Sequence, residues 1–207
     1  MAELGYTALA VDMYGDGKQA ATPDEGGKLS GEVLKNFDTV GAPRFMAALD
    51  FLKQQPSVDP SRIAAIGYCF GGSVVLNMAG QGADLRGVVS FHGGLGSVTP
   101  AQAGKVKAKV LVLTGAADNS VPPEQVETYK QQMKTAGADF RASKRQRILE
   151  VLRFQPSQSF VFLLWHPPES VKRWNARGLV PSEFDRWWSE PPHSQTPCES
   201  RCWDQPN

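Results

Sequence analysis

Cys69 stands in Ile66-Gly67-Tyr68-Cys69-Phe70-Gly71-Gly72, between two runs of opposite character. Residues 62–66 (RIAAI) before it predict a buried strand, and residues 71–79 (GGSVVLNMA) after it predict a small-residue helix. A cysteine on such a sharp strand-to-helix turn is lifted clear of the sheet edge, as a nucleophile must be. Neighbours without a Cβ leave room for the chain segments that cross there. The helix N-terminus would favour a thiolate anion, and the Phe70 N–H would point at a developing oxyanion. Most free cysteines are instead buried small hydrophobes. The combination of strand, glycines and helix favours the nucleophile.

A second signal is Leu113-Thr114-Gly115-Ala116-Ala117-Asp118-Asn119-Ser120-Val121-Pro122. Asp118 follows the nucleophile in chain order and lies on a loop beyond a later predicted strand, where a triad acid is expected. Its task would be to orient a histidine and stabilise the imidazolium. The plainer role is an Asx-turn or cap opening the next helix. The base itself is not evident. His166 and His193 come after Asp118, as the order requires, with His166 a weak candidate. His92, in Ser90-Phe91-His92-Gly93-Gly94, precedes Asp118 and is expected only to line the pocket. His193, Cys198 and Cys202 do not have the spacing of a four-ligand zinc site, so no metal is expected.

The elements that must carry these groups alternate as in an α/β domain. Residues 6–11 (YTALAV), 62–66, 87–91 (GVVSF) and 110–114 (VLVLT) predict strands. Residues 32–53 repeat apolar side chains at helical spacing, with Pro43 expected to break or kink the segment. Residues 123–135 predict a polar amphipathic helix with Glu124 and Glu127 in its N-terminal turns. Short apolar strands each followed by a helix imply a mostly parallel sheet with helices on both faces. Functional groups in such sheets gather at the strands' carboxyl ends.

Beyond Phe140 the text changes. All five tryptophans and eight of the fifteen prolines lie there, which separates a core over residues 1–140 from a divergent, irregular tail over 141–207. Residues 141–147 (RASKRQR) form a basic burst expected on a solvated face, and only residues 160–165 (FVFLLW) resemble a core strand.

With 41% hydrophobic residues, 21% charged and a net charge of +1, the 207-residue chain has ordinary globular composition. That balance gives no reason to expect nucleic acid or an acidic membrane as partner. No apolar run reaches the roughly 20 residues that span a bilayer. Three cysteines make no disulfide framework, and a cytoplasmic location is the expectation.

These residues resemble the dienelactone hydrolase family, within the α/β-hydrolases. The segments Gly5-Tyr6-Thr7-Ala8-Leu9-Ala10-Val11-Asp12-Met13-Tyr14-Gly15, Asp59-Pro60-Ser61-Arg62-Ile63, Gly67-Tyr68-Cys69-Phe70-Gly71-Gly72 and Gly115-Ala116-Ala117-Asp118 carry the likeness in family order. The resemblance implies a partial α/β-hydrolase fold with Cys69 as nucleophile and Asp118 as triad acid. It further implies hydrolysis of a small-molecule ester or lactone through an acyl-thioester, without metal or organic cofactor. Family members have strands before the Gly5 segment and a catalytic histidine turn after the Phe140 region. The expectation here is therefore a shortened start, an out-of-frame end and little or no activity. Where the family pattern places a carboxylate-binding arginine, this chain has Asp16 and Lys18, and Lys18 could substitute as a point charge. The competing expectation is a non-catalytic binding protein that presents the Trp- and Arg-rich tail to a partner. Oligomeric state is left open.

Overall fold

The computed structural model describes residues 6–115, 118–145 and 161–165. They form one six-stranded sheet: β1 Thr7–Ala10, β2 Ile63–Tyr68, β3 Gly87–Phe91, β4 Lys109–Gly115, β5 Phe140–Arg145 and β6 Val161–Trp165. The spatial order is β1-β6-β2-β3-β4-β5. Strands β2 to β5 are parallel, whereas β6 runs antiparallel to both its neighbours, β1 and β2. β1 therefore shares the direction of β2, and β6 alone runs against the rest.

Among the described residues four α-helices lie between the strands: α1 Pro23–Lys35, α2 Ala42–Lys53, α3 Phe70–Gly80 and α4 Pro123–Thr135. From β1 to β5 the chain steps across the sheet in one direction. Right-handed crossovers that step one way place their helices on one face. The burial follows. Ile63, Ala65, Val88, Val110, Val112, Val161 and Leu163 share the main core with every buried apolar helix residue, including Phe45, Leu49, Val75 and Met133. The alternate strand residues Ala64, Ile66, Val89, Leu111 and Leu113 form a smaller cluster with Tyr6, Tyr68, Phe91 and Phe162, to which no described helix contributes. The expected helices on both faces are thus found on one face among the described residues.

α3 is the most deeply set helix. Residues 70–79 are all buried, with Val74, Val75 and Leu76 fully so, each side chain contributing about 1.5–3 kcal/mol of burial. α1 begins well before the expected position 32. Thr22 caps it by accepting from the Glu25 N–H, while Glu25 reaches back to the Ala21 N–H. This reciprocal pairing starts the helix despite Gly26 and Gly27. Pro43 lies in the first turn of α2, after one π turn over Phe37–Gly41, so it starts a helix rather than kinking one.

The boundary expected at residue 140 falls inside the sheet. β5 pairs with β4 from Phe140 to Arg145, which takes most of the basic burst into an edge strand. Charged side chains suit an edge, where they discourage pairing with other chains. β6, the run that resembled a core strand, is an interior strand.

Candidate active site

Cys69 is the residue between β2 and α3. Its φ of +53° is rare for a residue with a side chain, and its thiol is exposed. Its N–H donates to the Phe91 carbonyl at 2.9 Å, one position past the Tyr68–Phe91 register pair. Its carbonyl accepts from Gly72 and Ser73, opening α3. The Phe70 N–H is one of the first-turn donors that a helix cannot satisfy itself. Gly67 allows the turn. A Cβ there would run into the Gly71 carbonyl and lie 2.6 Å from the Gly72 nitrogen.

The loop after β3 comes just as close. His92 follows Phe91 with φ +55°, and its N–H donates to the Leu113 carbonyl of β4 at 2.9 Å. A Cβ on Gly72 would lie 2.8 Å from the Gly93 Cα and 2.6 Å from the Ser90 hydroxyl, so these glycines let the two turns pack backbone to backbone. Polar groups of α3 tie the loop down. Ser73 donates to the Gly94 carbonyl at 3.2 Å, Asn77 donates to Ser97 at 3.3 Å, and Asn77 accepts from the Thr99 N–H at 2.9 Å.

Asp118 lies three residues past β4 with its side chain almost wholly buried, and it does two jobs. Oδ1 accepts from the Ser120 N–H at 2.9 Å, which is the plain Asx-turn. Oδ2 holds Nδ1 of His92 in a short contact. His92 is therefore the histidine that Asp118 engages, where chain order predicts one downstream of Asp118. His166, His193, Cys198 and Cys202 lie outside the described residues. Among the described residues no group of three or more His, Cys, Asp or Glu side chains could hold a metal. No helix there is long and apolar enough to cross a membrane.

Aromatic rings wall the strand ends. Tyr14 stacks on Phe70 at 5.6 Å, and Tyr68 on Phe91 at 4.8 Å. Burial pushes the Tyr68 phenol above its usual pKa, so the ring stays neutral. The 12–18 loop that carries Tyr14 is built around Asp12, which accepts from the N–H groups of Tyr14, Gly15 and Gly17 at 3.1, 2.8 and 2.9 Å. Arg44 of α2 braces the same loop by donating to the Met13 carbonyl at 2.9 Å, a role not foreseen. Lys18 pairs instead with Asp16 in the open, at 3.7 Å.

Burial alone would raise the Asp12 carboxyl. The N–H groups of Gly17, Gly15 and Tyr14, with Arg44, outweigh it and hold the group below its usual value. A lowered native pKa stabilises the fold above the unfolded value, and that gain is lost as pH falls through the native one. Asp12→Ala is expected to cost about 1 kcal/mol at neutral pH, a modest figure because the loop is exposed. Urea midpoints should show the gap between variant and parent narrowing below about pH 4.

The sequence model of the dienelactone hydrolase family matches residues 1–143. Protein usf of Aquifex pyrophilus is 32% identical over 140 residues, covering 67% of this chain and 59% of its own length. A carboxymethylenebutenolidase-like protein of Escherichia coli O157:H7 is 33% identical over 148 residues, covering 65% of this chain and 52% of its own. The chain thus spans between half and three-fifths of the length of these relatives. Among solved structures, m3DLH superposes with a TM-score of 0.63 at 28% identity, covering 82% of this chain and 71% of that one. A dienelactone hydrolase-like promiscuous phosphotriesterase from metagenomic libraries gives 0.55 at 29% identity, covering 86% and 72%. With the elbow, the strand-end aspartate and the sheet in place, and with the family model matched over more than half its length, this chain belongs to the dienelactone hydrolase family.

Proposed function

We propose that this chain hydrolyses a small-molecule carboxylic ester or lactone through an acyl-thioester on Cys69. The observation that carries the reading is the Cys69 turn itself: an exposed thiol held at φ +53° on the N-terminus of a buried helix. Backbone held in that region by its surroundings stores about 1–3 kcal/mol and is characteristic of functional positions. In the reaction Sγ bonds to the carbonyl carbon, and the oxyanion is met by the Phe70 N–H. The C–O bond to the leaving alkoxide breaks, and water then cleaves the thioester. Asp118 serves as the acid that orients a histidine.

The test is to mix the protein with a p-nitrophenyl ester, quench in acid and locate the acyl group by peptide mass spectrometry. The expected result is an acyl adduct on Cys69 that disappears in Cys69→Ala together with ester turnover. Unchanged turnover in Cys69→Ala would rule the reading out. The phosphotriesterase relative makes a phosphate triester the second substrate class to try.

A further inference from the structure

Resting on the reading of Cys69 as nucleophile, we infer that His92 is its general base, so that the triad runs Cys69, His92, Asp118 along the chain. The three residues come from the carboxyl ends of three adjacent parallel strands, β2, β3 and β4. Cys69 and His92 each sit one residue past the Tyr68–Phe91 register pair, and neighbouring strands are about 4.8 Å apart. Asp118 approaches His92 from the β4 side and takes Nδ1. A carboxylate only accepts, so Nδ1 carries the hydrogen and Nε2 is left as the basic nitrogen. Nε2 lies across Cε1 from Nδ1, and the neighbour of β3 on the side away from β4 is β2, which ends in Cys69.

Backbone strain points the same way. His92 is held at φ +55°, where few residues with a Cβ settle. The loop behind it is fastened to α3 through Ser73 and Asn77, and the Gly72–Gly93 approach draws it against the cysteine turn. Among the described residues His92 is the sole histidine. It departs from the usual nucleophile–acid–histidine order of α/β-hydrolases, but a triad is defined by geometry and roles rather than sequence position.

The proton balance closes. As Sγ bonds to the carbonyl carbon, its proton passes to Nε2, and the imidazolium gives that proton to the departing alkoxide. In the second half water gives a proton to Nε2 as its oxygen attacks the thioester. That proton returns to Sγ when the carboxylic acid leaves. Asp118 accepts from Nδ1–H throughout.

The informative variant is His92→Gly, since glycine takes φ +55° without strain and leaves a ring-sized space. Acylation of Cys69 by a p-nitrophenyl ester, followed as adduct by mass spectrometry, is expected to slow by about 10²–10⁴-fold. Added imidazole should restore part of that rate saturably, and counting only the Cys69 adduct excludes the free base's own reaction with the ester. An adduct formed at the parent rate in His92→Gly overturns the assignment while leaving Cys69 as nucleophile. A slow variant that imidazole leaves slow gives His92 a purely structural role and overturns it too. Absence of any adduct on parent Cys69 would instead strike the underlying reading.

Discussion

Gly67→Ala is expected to unfold the site and much of the core with it. The added methyl would meet the backbone of Gly71 and Gly72, which cannot swing aside as a side chain would. Relief requires α3 to lift away from β2. Yet residues 70–79 of α3 are all buried, and each apolar one would lose part of its packing. Overpacking a well-filled core costs typically 1–3 kcal/mol. Displacing a buried helix carries the figure to about 4 kcal/mol or more, the range reserved for disrupted cores. The urea midpoint and the Cys69 adduct should fall together. Gly27→Ala is the contrasting control, because its Cβ would meet nothing within 4 Å on the exposed side of α1. Alanine there should raise stability by about 0.5–1 kcal/mol through helix propensity. Equal stability of parent and Gly67→Ala would show that the elbow can relax.

Leu163→Asp should be the more damaging change in the sheet. Leu163 is the centre of β6, fully buried, and faces Leu9 on one side and Ala65 on the other. An unpaired carboxylate there meets the main core on the helix-covered face. The protein would fail to fold or would hold the acid protonated, at several kcal/mol in either case. Leu163→Ala, the milder variant, is expected to cost about 2–5 kcal/mol, read as a lower melting temperature. A melting temperature unchanged by Leu163→Ala would mean that β6 is dispensable, as in a display tail that hangs from a self-sufficient core. Loss of the whole cooperative transition in Leu163→Asp would bind residues 161–165 to the domain.

Much of this was legible in the residues because its causes are local. The elbow needs glycines, a nucleophile, a strand and a helix close together in the chain, and all are contiguous from Arg62 to Ala79. A strand such as β4 reads as a continuous apolar run because side chains on both of its faces are buried. The first turns of α1 are not legible in the sequence because Val33 is its one buried residue, so little apolar periodicity marks it before position 32. β5 (FRASKR) reads as solvated for the same reason an edge strand tolerates charge. The Asp118–His92 pair was invisible for another reason. Those residues are 26 positions apart and meet only because β3 and β4 are neighbours in register. Chain order argued against the pair; sheet order made it.

The place of β6 also bears on how the chain is assembled during synthesis. Of the described strands β1 comes earliest in the chain, yet its ladder partner is β6, about 150 residues later. The only described strand that β1 pairs with is complete once residue 165 leaves the ribosome, while β2 to β5 and their crossover helices can already assemble in sequence. β6 must then enter between β1 and β2. Closing so long a loop is entropically slow, and the waiting edge of β2 is exposed meanwhile. Expression of this protein should therefore depend more on protection of the nascent chain than its finished stability would suggest.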